Sequence, residues 1–308
     1  MQLIRGIDQL TRCLGPSVVS IGNYDGVHLG HQHVIKTLLQ KSRELNAPST
    51  VITFEPLGKE FFNPKSVLRL TSLNEKAQLL FDLGVDQVFC INFTADFAAY
   101  SPQKFVNDVL VNGLCAKYVC VGDDFRFGKN RAGDFEFLQN AGLEHDFEVT
   151  AHDTFTLNDQ RVSSGRVRDA LSNNDFDQAE RLLGRPFYIK GVVSKGQQLG
   201  RTIGFPTANI VLPDVALPVR GVYAVSIESN AFEKKVGVAN IGSRPTVDGK
   251  EQRLEVHIFD FDQDIYDKSV KVQFHHKIRE EQKFESFELL KKQIIQDAKH
   301  AFDYFEQR

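Results

Sequence analysis

The sequence predicts two modules: an N-terminal α/β module on a doubly wound parallel sheet, then a small antiparallel sheet or barrel followed by a helix. Three observations predict this. From residue 17 to about 185, short apolar runs alternate with helical patterns. From about 186 the runs become short, β-rich and separated by Gly, Pro, Asn and Asp. The final stretch, "KFESFELLKKQIIQDAKHAFDYFEQR", carries apolar residues at 287, 289, 290, 294, 295, 298 and 302, an amphipathic helix.

"PSVVSIG" reads as a short buried strand, and "GHQHVIKTLLQKSREL" as a helix with apolar residues at 34, 35, 38, 39 and 45. "STVITF" is a strand, followed by a loop with Pro56 and Pro64. "TSLNEKAQLLFDLG" predicts a helix with a threonine N-cap, Glu75 in its first turns and Gly84 as its stop. "VDQVFCINF" is a strand, and "SPQKFVNDVLVNG" a helix with Pro102 at its first position. "AKYVCVG", "GDFEFLQNAG" and "DFEVTA" read as strand, helix and strand, and "SSGRVRDALSNNDFDQAERLLG" as two helical stretches. Strand and helix alternating at this spacing predict a parallel sheet covered on both faces, with ligands at the strands' carboxyl ends.

"PFYIKGVVSKG", "GVYAVSIES", "KKVGVANIG", "RLEVHIFDF" and "SVKVQFHHKI" supply the second module's strands. The boundary falls near Gly184-Arg185-Pro186, giving modules 1–185 and 186–308.

Bulk properties narrow the function classes. The chain has 308 residues, 42% hydrophobic and 25% charged, enough for two separate cores. A net charge of -3 offers no global basic field for nucleic acid, although local basic spots suit small anions. The N-terminus lacks the apolar core of a signal peptide, and no apolar run approaches the roughly 18 residues a membrane span needs. A cytoplasmic protein without membrane partners is expected. Cys13, Cys90, Cys115 and Cys120 form no C-x-x-C pairs and are expected to be reduced thiols. The oligomeric state stays open.

"SIGNYDGVHLGHQHVIKTL" carries the first chemical signal. His28 and His31 stand between a strand and a helix, and Gly22, Gly26 and Gly30 let backbone pass close to a ligand. A helix N-terminus with free amides suits phosphate, and two imidazoles add donors. By itself H-x-x-H fits equally a turn with two surface histidines. The glycines, strand and helix around it favour a site. "VSSGRVRDAL" adds Ser163 and Ser164, natural N-cap residues, with Arg166 and Arg168 able to reach phosphate.

The first stretch resembles the H-x-G-H signature of nucleotidyltransferases with a Rossmann-like α/β-phosphodiesterase fold, in which the histidines stabilise the triphosphate of ATP. Taken with "TFEP", "FRFGKNRAG" and "VSSGRVR", it is similar to the N-terminal module of bacterial bifunctional riboflavin kinase/FAD synthetases, which transfers AMP from ATP to FMN. The resemblance implies catalytic roles for His28 and His31. It implies ATP contacts from Gly22, Asn23, Gly30, Ser163, Ser164 and Arg168, and flavin contacts from Phe62, Asp123 and Arg126. Two departures stand out. Leu57 and Gly58 replace the family's usual His-Pro after "TFEP", and Gly165 replaces its threonine. A hydroxyl lost from a phosphate-binding turn costs roughly 1 kcal/mol of binding.

The second signal is "GVVSKGQQLGRTIGFPTANI", glycine-rich, with Lys195 and Arg201 as candidate phosphate contacts. It does not match G-x-x-x-x-G-K-[ST]. Thr207 and Asn209, two apart, face one side of an extended chain and carry hard oxygens suited to Mg²⁺. A proline-anchored turn between strands is the competing reading. In "RLEVHIFDFD", Leu254, Val256 and Ile258 alternate with Glu255, His257 and Phe259, which sets Glu255 off the apolar row. An exposed strand carboxylate would look the same, but a kinase acting on an alcohol needs a carboxylate to accept the hydroxyl proton.

"GRTIGFPTAN", "GVYAV", "NIGSRPTVDG", "EVHIFDFDQDIY" and "IREEQKFESFELLKKQI" are similar, in order, to the family's riboflavin kinase module, a six-stranded Greek-key barrel followed by a helix. The resemblance implies that Thr207 and Asn209 bind Mg²⁺ with ATP, that Glu255 is the base on the ribityl 5′-hydroxyl, and that Arg279 contacts flavin. It thus implies riboflavin, FMN, FAD and ATP as small-molecule partners and Mg²⁺ as cofactor. The departures leave two other readings: a kinase with a degenerate first module, and a non-catalytic flavin-binding protein.

Overall fold

The computed structural model describes residues 1–10, 15–64, 67–195, 204–212, 215–246 and 249–307, with backbone only for 243–246 and 249–251. The chain divides into two compact units, one of residues 1–67 and 73–164, the other of 68–72 and 165–308.

The first unit is built on a six-stranded sheet of β1 (Gln2–Arg5), β2 (Ser17–Ile21), β3 (Ser49–Glu55), β4 (Gln87–Asn92), β5 (Ala116–Gly122) and β6 (Glu148–His152). Their order is β1-β4-β3-β2-β5-β6, and every pairing is parallel. Helices α1 (Leu29–Leu45), α2 (Gly58–Phe62), α3 (Leu73–Asp82), α4 (Ala95–Ala98), α5 (Pro102–Phe105) and α6 (Phe135–His145) connect them.

Successive strand residues serve opposite faces, as the period of two demands. Val18, Val51 and Val88 join Ile35 and Leu38 of α1 and Leu80 of α3 in one core. Val19, Ile52 and Phe89 join Phe105 of α5 and Leu138 of α6 in another. The sheet is thus doubly wound. The strand order reverses between β2 and β5, which makes the carboxyl ends of those strands the expected ligand crevice.

The structure departs from the predicted elements in a few places. β1 has no counterpart among them, because an edge strand of mixed burial shows no apolar run. α3 begins at Leu73, so Ser72 rather than Thr71 precedes it. Pro102 does occupy the first turn of α5, capped by Ser101 Oγ accepting the Lys104 amide at 3.1 Å, but the helix widens into a π turn over Val106–Val111. Cys90 and Cys120 are free and buried. Cys115 is disulfide-bonded, which corrects the expectation of a reduced thiol there. Cys13 lies outside the described residues.

The second unit holds a closed antiparallel barrel of β9 (Tyr188–Ser194), β10 (Ala208–Val211), β11 (Gly221–Ser229), β12 (Phe232–Thr246), β13 (Gly249–Ile258) and β14 (Ser269–Arg279). The short hairpin of β7 (Thr156–Leu157) and β8 (Gln160–Arg161) precedes it, in the first unit. β11, β12 and β13 pair in succession, and β14 returns to lie beside β11, which is a Greek key.

Two helices, α7 (Ser164–Ser172) and α8 (Phe176–Leu183), lead into the barrel. Phe176 meets Tyr223 edge-on at 5.8 Å, and the Tyr223 hydroxyl donates to Asn174 at 3.3 Å. The terminal helix α9 (Phe287–Glu306) packs Ala301 against Val222, Ala224 and Val238. Its expected apolar stripe is only partly inward: Phe287, Leu289, Ile295 and Phe302 are exposed, while Asp297 is buried. No helix among the described residues is long and apolar enough to cross a membrane.

Candidate active sites

In the first unit the buried strand β2 delivers the chain into a tight turn. Tyr24 (φ 49°), Gly26 (φ 83°) and Val27 (φ 43°) all adopt left-handed backbone. That conformation suits glycine and strains a β-branched valine, the kind of strain a well-determined functional loop holds. The turn is tied down on several sides. The Gly22 amide donates to Ile52 O at 3.0 Å, and the Thr53 hydroxyl donates to Asn23 O at 3.0 Å. The Tyr24 hydroxyl and Ser20 Oγ lie 2.5 Å apart, and burial pushes the Tyr24 phenol far above its usual range.

His28 is the N-cap of α1. Its Nδ1 accepts the His31 amide at 3.2 Å, and the two rings stack with centroids 3.6 Å apart. An accepting Nδ1 requires the ring's proton on Nε2, so the second nitrogen is an N–H donor. Gly30 makes the arrangement possible: a Cβ there would stand 3.1 Å from His28 Cε1 and 3.3 Å from Val162 O. The segment carrying Ser163 and Ser164 is drawn to the same place, where Ser164 Oγ donates to Asp25 O at 2.8 Å. His28, His31, Gly22, Asn23, Gly30 and Ser164 are therefore assembled around one turn, and Ser163 is joined to it through the chain. The turn offers N–H donors beside a helix N-terminus, the chemistry that holds phosphate.

Phe62, Asp123 and Arg126 fall at the ends of other elements. Phe62 is exposed and meets Phe61 edge-on at 5.2 Å, in a series of rings that includes Phe93, Phe54 and Phe97. The departure at Gly58 has a local reason, since a Cβ there would press on the Phe93 ring at 3.3 Å. Leu57 is buried, its amide donating to Glu60 at 3.1 Å. Asp123 accepts from Thr154 at 3.1 Å, and Arg126 is exposed. Arg168 belongs to the second unit, where its Nε donates to Leu68 O at 2.6 Å.

Among the buried polar residues of this unit that sequence reasoning missed are Lys76 and His152. Lys76 is fully buried and donates to Thr53 Oγ1 at 3.0 Å. His152, at the carboxyl end of β6 beside Gly122, is 8% exposed; burial, with His33 nearby, holds its imidazole below the usual range. In sequence both sit within otherwise ordinary helix and strand patterns.

In the second unit a cavity of about 520 Å³ is lined by Thr207, Asn209, Asn240, Glu255, Arg279 and Asp297, among others. Strand register explains the grouping: Glu255 on β13 pairs with Asn209 on β10 and with Asn240 on β12, so the three form one row across adjacent strands. The predicted alternation is observed, with Leu254, Val256 and Ile258 buried. His257 Nδ1 lies 2.8 Å from Pro206 O and, facing a carbonyl, acts as the donor; this anchors the Phe205–Thr207 segment to β13.

Arg279 grips the buried Asp297 carboxylate through Nε at 2.9 Å and Nη2 at 2.7 Å, while Gln293 donates to the same carboxylate at 2.9 Å. Phe287, Leu290 and Ile294 of α9 give the cavity an apolar wall. Asn240, Asp297 and this wall carried no signal beyond ordinary strand and helix pattern. Lys195 is exposed, its ammonium 5.8 Å from the Tyr266 ring centre. Arg201 lies outside the described residues.

A family model described as FAD synthetase matches residues 10–166, and one described as riboflavin kinase matches 183–305. A bifunctional riboflavin kinase/FMN adenylyltransferase of Escherichia coli (strain K12) is 47% identical over 307 residues, covering 99% of this chain and 98% of its own. The Haemophilus influenzae protein of the same description is 47% identical over 306 residues, covering 99% of both chains. A Streptococcus pneumoniae crystal structure described as a macrolide-efflux protein matches with a TM-score of 0.78 and 32% identity, covering 96% of this chain and 97% of that one.

Proposed function

The chain belongs to the bifunctional riboflavin kinase/FMN adenylyltransferase family, and on that premise we propose how its residues divide the two reactions. The enzyme phosphorylates riboflavin to FMN and adenylylates FMN to FAD. Residues 1–185 carry the adenylyltransferase and 186–308 the kinase, a division supported by a riboflavin kinase match that begins at residue 183. The enzyme works in the cytoplasm, with ATP as co-substrate of both steps.

In the kinase, riboflavin's ribityl 5′-hydroxyl attacks the γ-phosphorus of ATP, Glu255 takes the hydroxyl proton, and the bond to the β,γ-bridging oxygen breaks so that ADP leaves. The row Asn209–Glu255–Asn240 on the cavity wall carries this assignment. A base on a closed barrel strand is fixed in place, which lets positioning do much of the catalysis. The apolar α9 wall suits the flavin ring, and Arg279, held by Asp297, borders it.

The donor set also fits a hard cation. Thr207 and Asn209 supply neutral oxygens beside one carboxylate, and no group of three His, Cys, Asp or Glu fit for a metal occurs among the described residues. Thr207 and Asn209 would hold Mg²⁺ together with ATP's phosphates, and the cation would offset charge on the transferred group.

In the adenylyltransferase, a phosphate oxygen of FMN attacks the α-phosphorus of the second ATP, and pyrophosphate leaves. His28 Nε2–H and His31 donate to the triphosphate as charge moves onto the leaving group. Gly22, Asn23, Gly30, Ser163 and Ser164 complete the phosphate contacts, with Lys195 and Arg201 serving the kinase. Phe62, Asp123 and Arg126 face FMN. The formed His28–His31 cap favours this reading over a degenerate first module, despite Leu57, Gly58 and Gly165. The test is activity-specific loss: H28A/H31A stops FAD formation and spares FMN formation, and loss of both in a folded protein contradicts the division.

A further inference from the structure

We propose that Lys76 is a positioning residue of the adenylyltransferase, holding the histidine turn in place through the Thr53 hydroxyl. The inference rests on the reading of that turn as the ATP phosphate site.

Lys76 lies on α3 between Glu75 and the core residue Ala77, with 0% of its surface exposed. Burying an ammonium is costly, and an apolar side chain of similar volume would pack at this place with less penalty. A charge retained there needs a reason beyond filling space. Its hydrogen bonding supplies one. Lys76 Nζ donates to Thr53 Oγ1 at 3.0 Å, and the Thr53 hydroxyl, also 0% exposed, directs its one proton to Asn23 O at 3.0 Å. The ammonium therefore orients a hydroxyl rotor, and the rotor fixes the carbonyl at which the turn begins.

Immediately after Asn23 the backbone is strained: Tyr24, Gly26 and Val27 are left-handed, and the His28 cap comes next. Such conformations persist only where neighbours over-determine them. Neutralising Lys76 frees the Thr53 hydroxyl to rotate and loosens that constraint.

The test uses the full chain, so that the riboflavin kinase rate shows the second unit intact and thermal melting shows whether the first is folded. Four variants are compared: K76M, K76R, T53V and H28A/H31A. For each, kcat and KM for ATP are measured in FMN-to-FAD conversion, beside kinase rate and thermal melting. K76M is expected to raise KM for ATP at least tenfold with a smaller change in kcat. K76R should recover most of that loss. T53V, which keeps the lysine but cuts the relay, should raise KM about threefold.

A purely structural lysine would lower melting without this split and without rescue by arginine. If H28A/H31A abolishes FAD formation while folded K76M keeps a normal KM, the inference falls and the phosphate reading stands. If neither variant affects FAD formation, both fall. If K76M does not fold, T53V decides: a raised KM supports the relay, and an unchanged one overturns it.

Discussion

His28 accepts the backbone amide of His31 at Nδ1, 3.2 Å away, while the His31 ring stacks on its own at 3.6 Å. One imidazole thus both caps the helix and is forced to present its other nitrogen as a donor. Replacing both residues with alanine removes cap and donors together. FAD formation should fall at least a hundredfold, and FMN formation should be unchanged; rates from FMN and from riboflavin measured separately check this.

Gly30 permits that stack. Its Cβ would come within 3.2 Å of His28 Nδ1 and 3.3 Å of Val162 O. G30A should therefore displace the ring and cut FAD formation about tenfold. Steady-state kinetics at saturating FMN would show it, and a wild-type rate would mean that the ring position is not critical.

In the barrel, Glu255 stands between Asn209 and Asn240 in the strand register. E255Q keeps shape and hydrogen bonding but cannot take a proton. Kinase turnover should drop roughly 10²–10⁴-fold, the usual contribution of a general base. Binding of riboflavin, followed by its fluorescence, should change little. A variant with near-normal turnover would remove Glu255 from the chemistry.

Much of this was legible in the sequence, for identifiable reasons. Glu255 and its apolar neighbours were readable because strand alternation is local, and His28 and His31 because glycines and a strand-to-helix switch frame them. Asn240 and Asp297 were not, because register and helix rotation bring them to the cavity from distant segments. Lys76 hides for a related reason: a lysine on an amphipathic helix reads as solvent-facing until packing shows it buried. The apolar stripe of α9 misled because four of its residues stay exposed while an aspartate turns inward.

That aspartate gives a stability prediction. Asp297 is 3% exposed and holds Arg279 by two nitrogens. Removing one partner of such a pair costs about 3 kcal/mol. D297A should lower barrel stability by that amount and raise KM for riboflavin. Denaturant unfolding is the check, and an unchanged midpoint would show that the pair contributes nothing.

Cys120 gives a pH prediction. Burial pushes its thiol up to about 12 from an ordinary value of 9.0. A raised folded-state pKa means that the native form keeps its proton where the unfolded chain loses it. The stabilisation is complete below pH 9 and lost as pH climbs toward 12. C120A should flatten that alkaline decline, and native Cys120 should resist a thiol reagent at pH 8. Rapid labelling of the folded protein would contradict this.

Two separate sites in one chain perform two successive transfers, and a single variant can separate them. The decisive experiment is a chromatographic time course of E255Q with MgATP, started in parallel from riboflavin and from FMN. FAD should appear at the wild-type rate from FMN, and almost no product should form from riboflavin. Equal loss from both starting points in a folded protein would mean that the two reactions share one site.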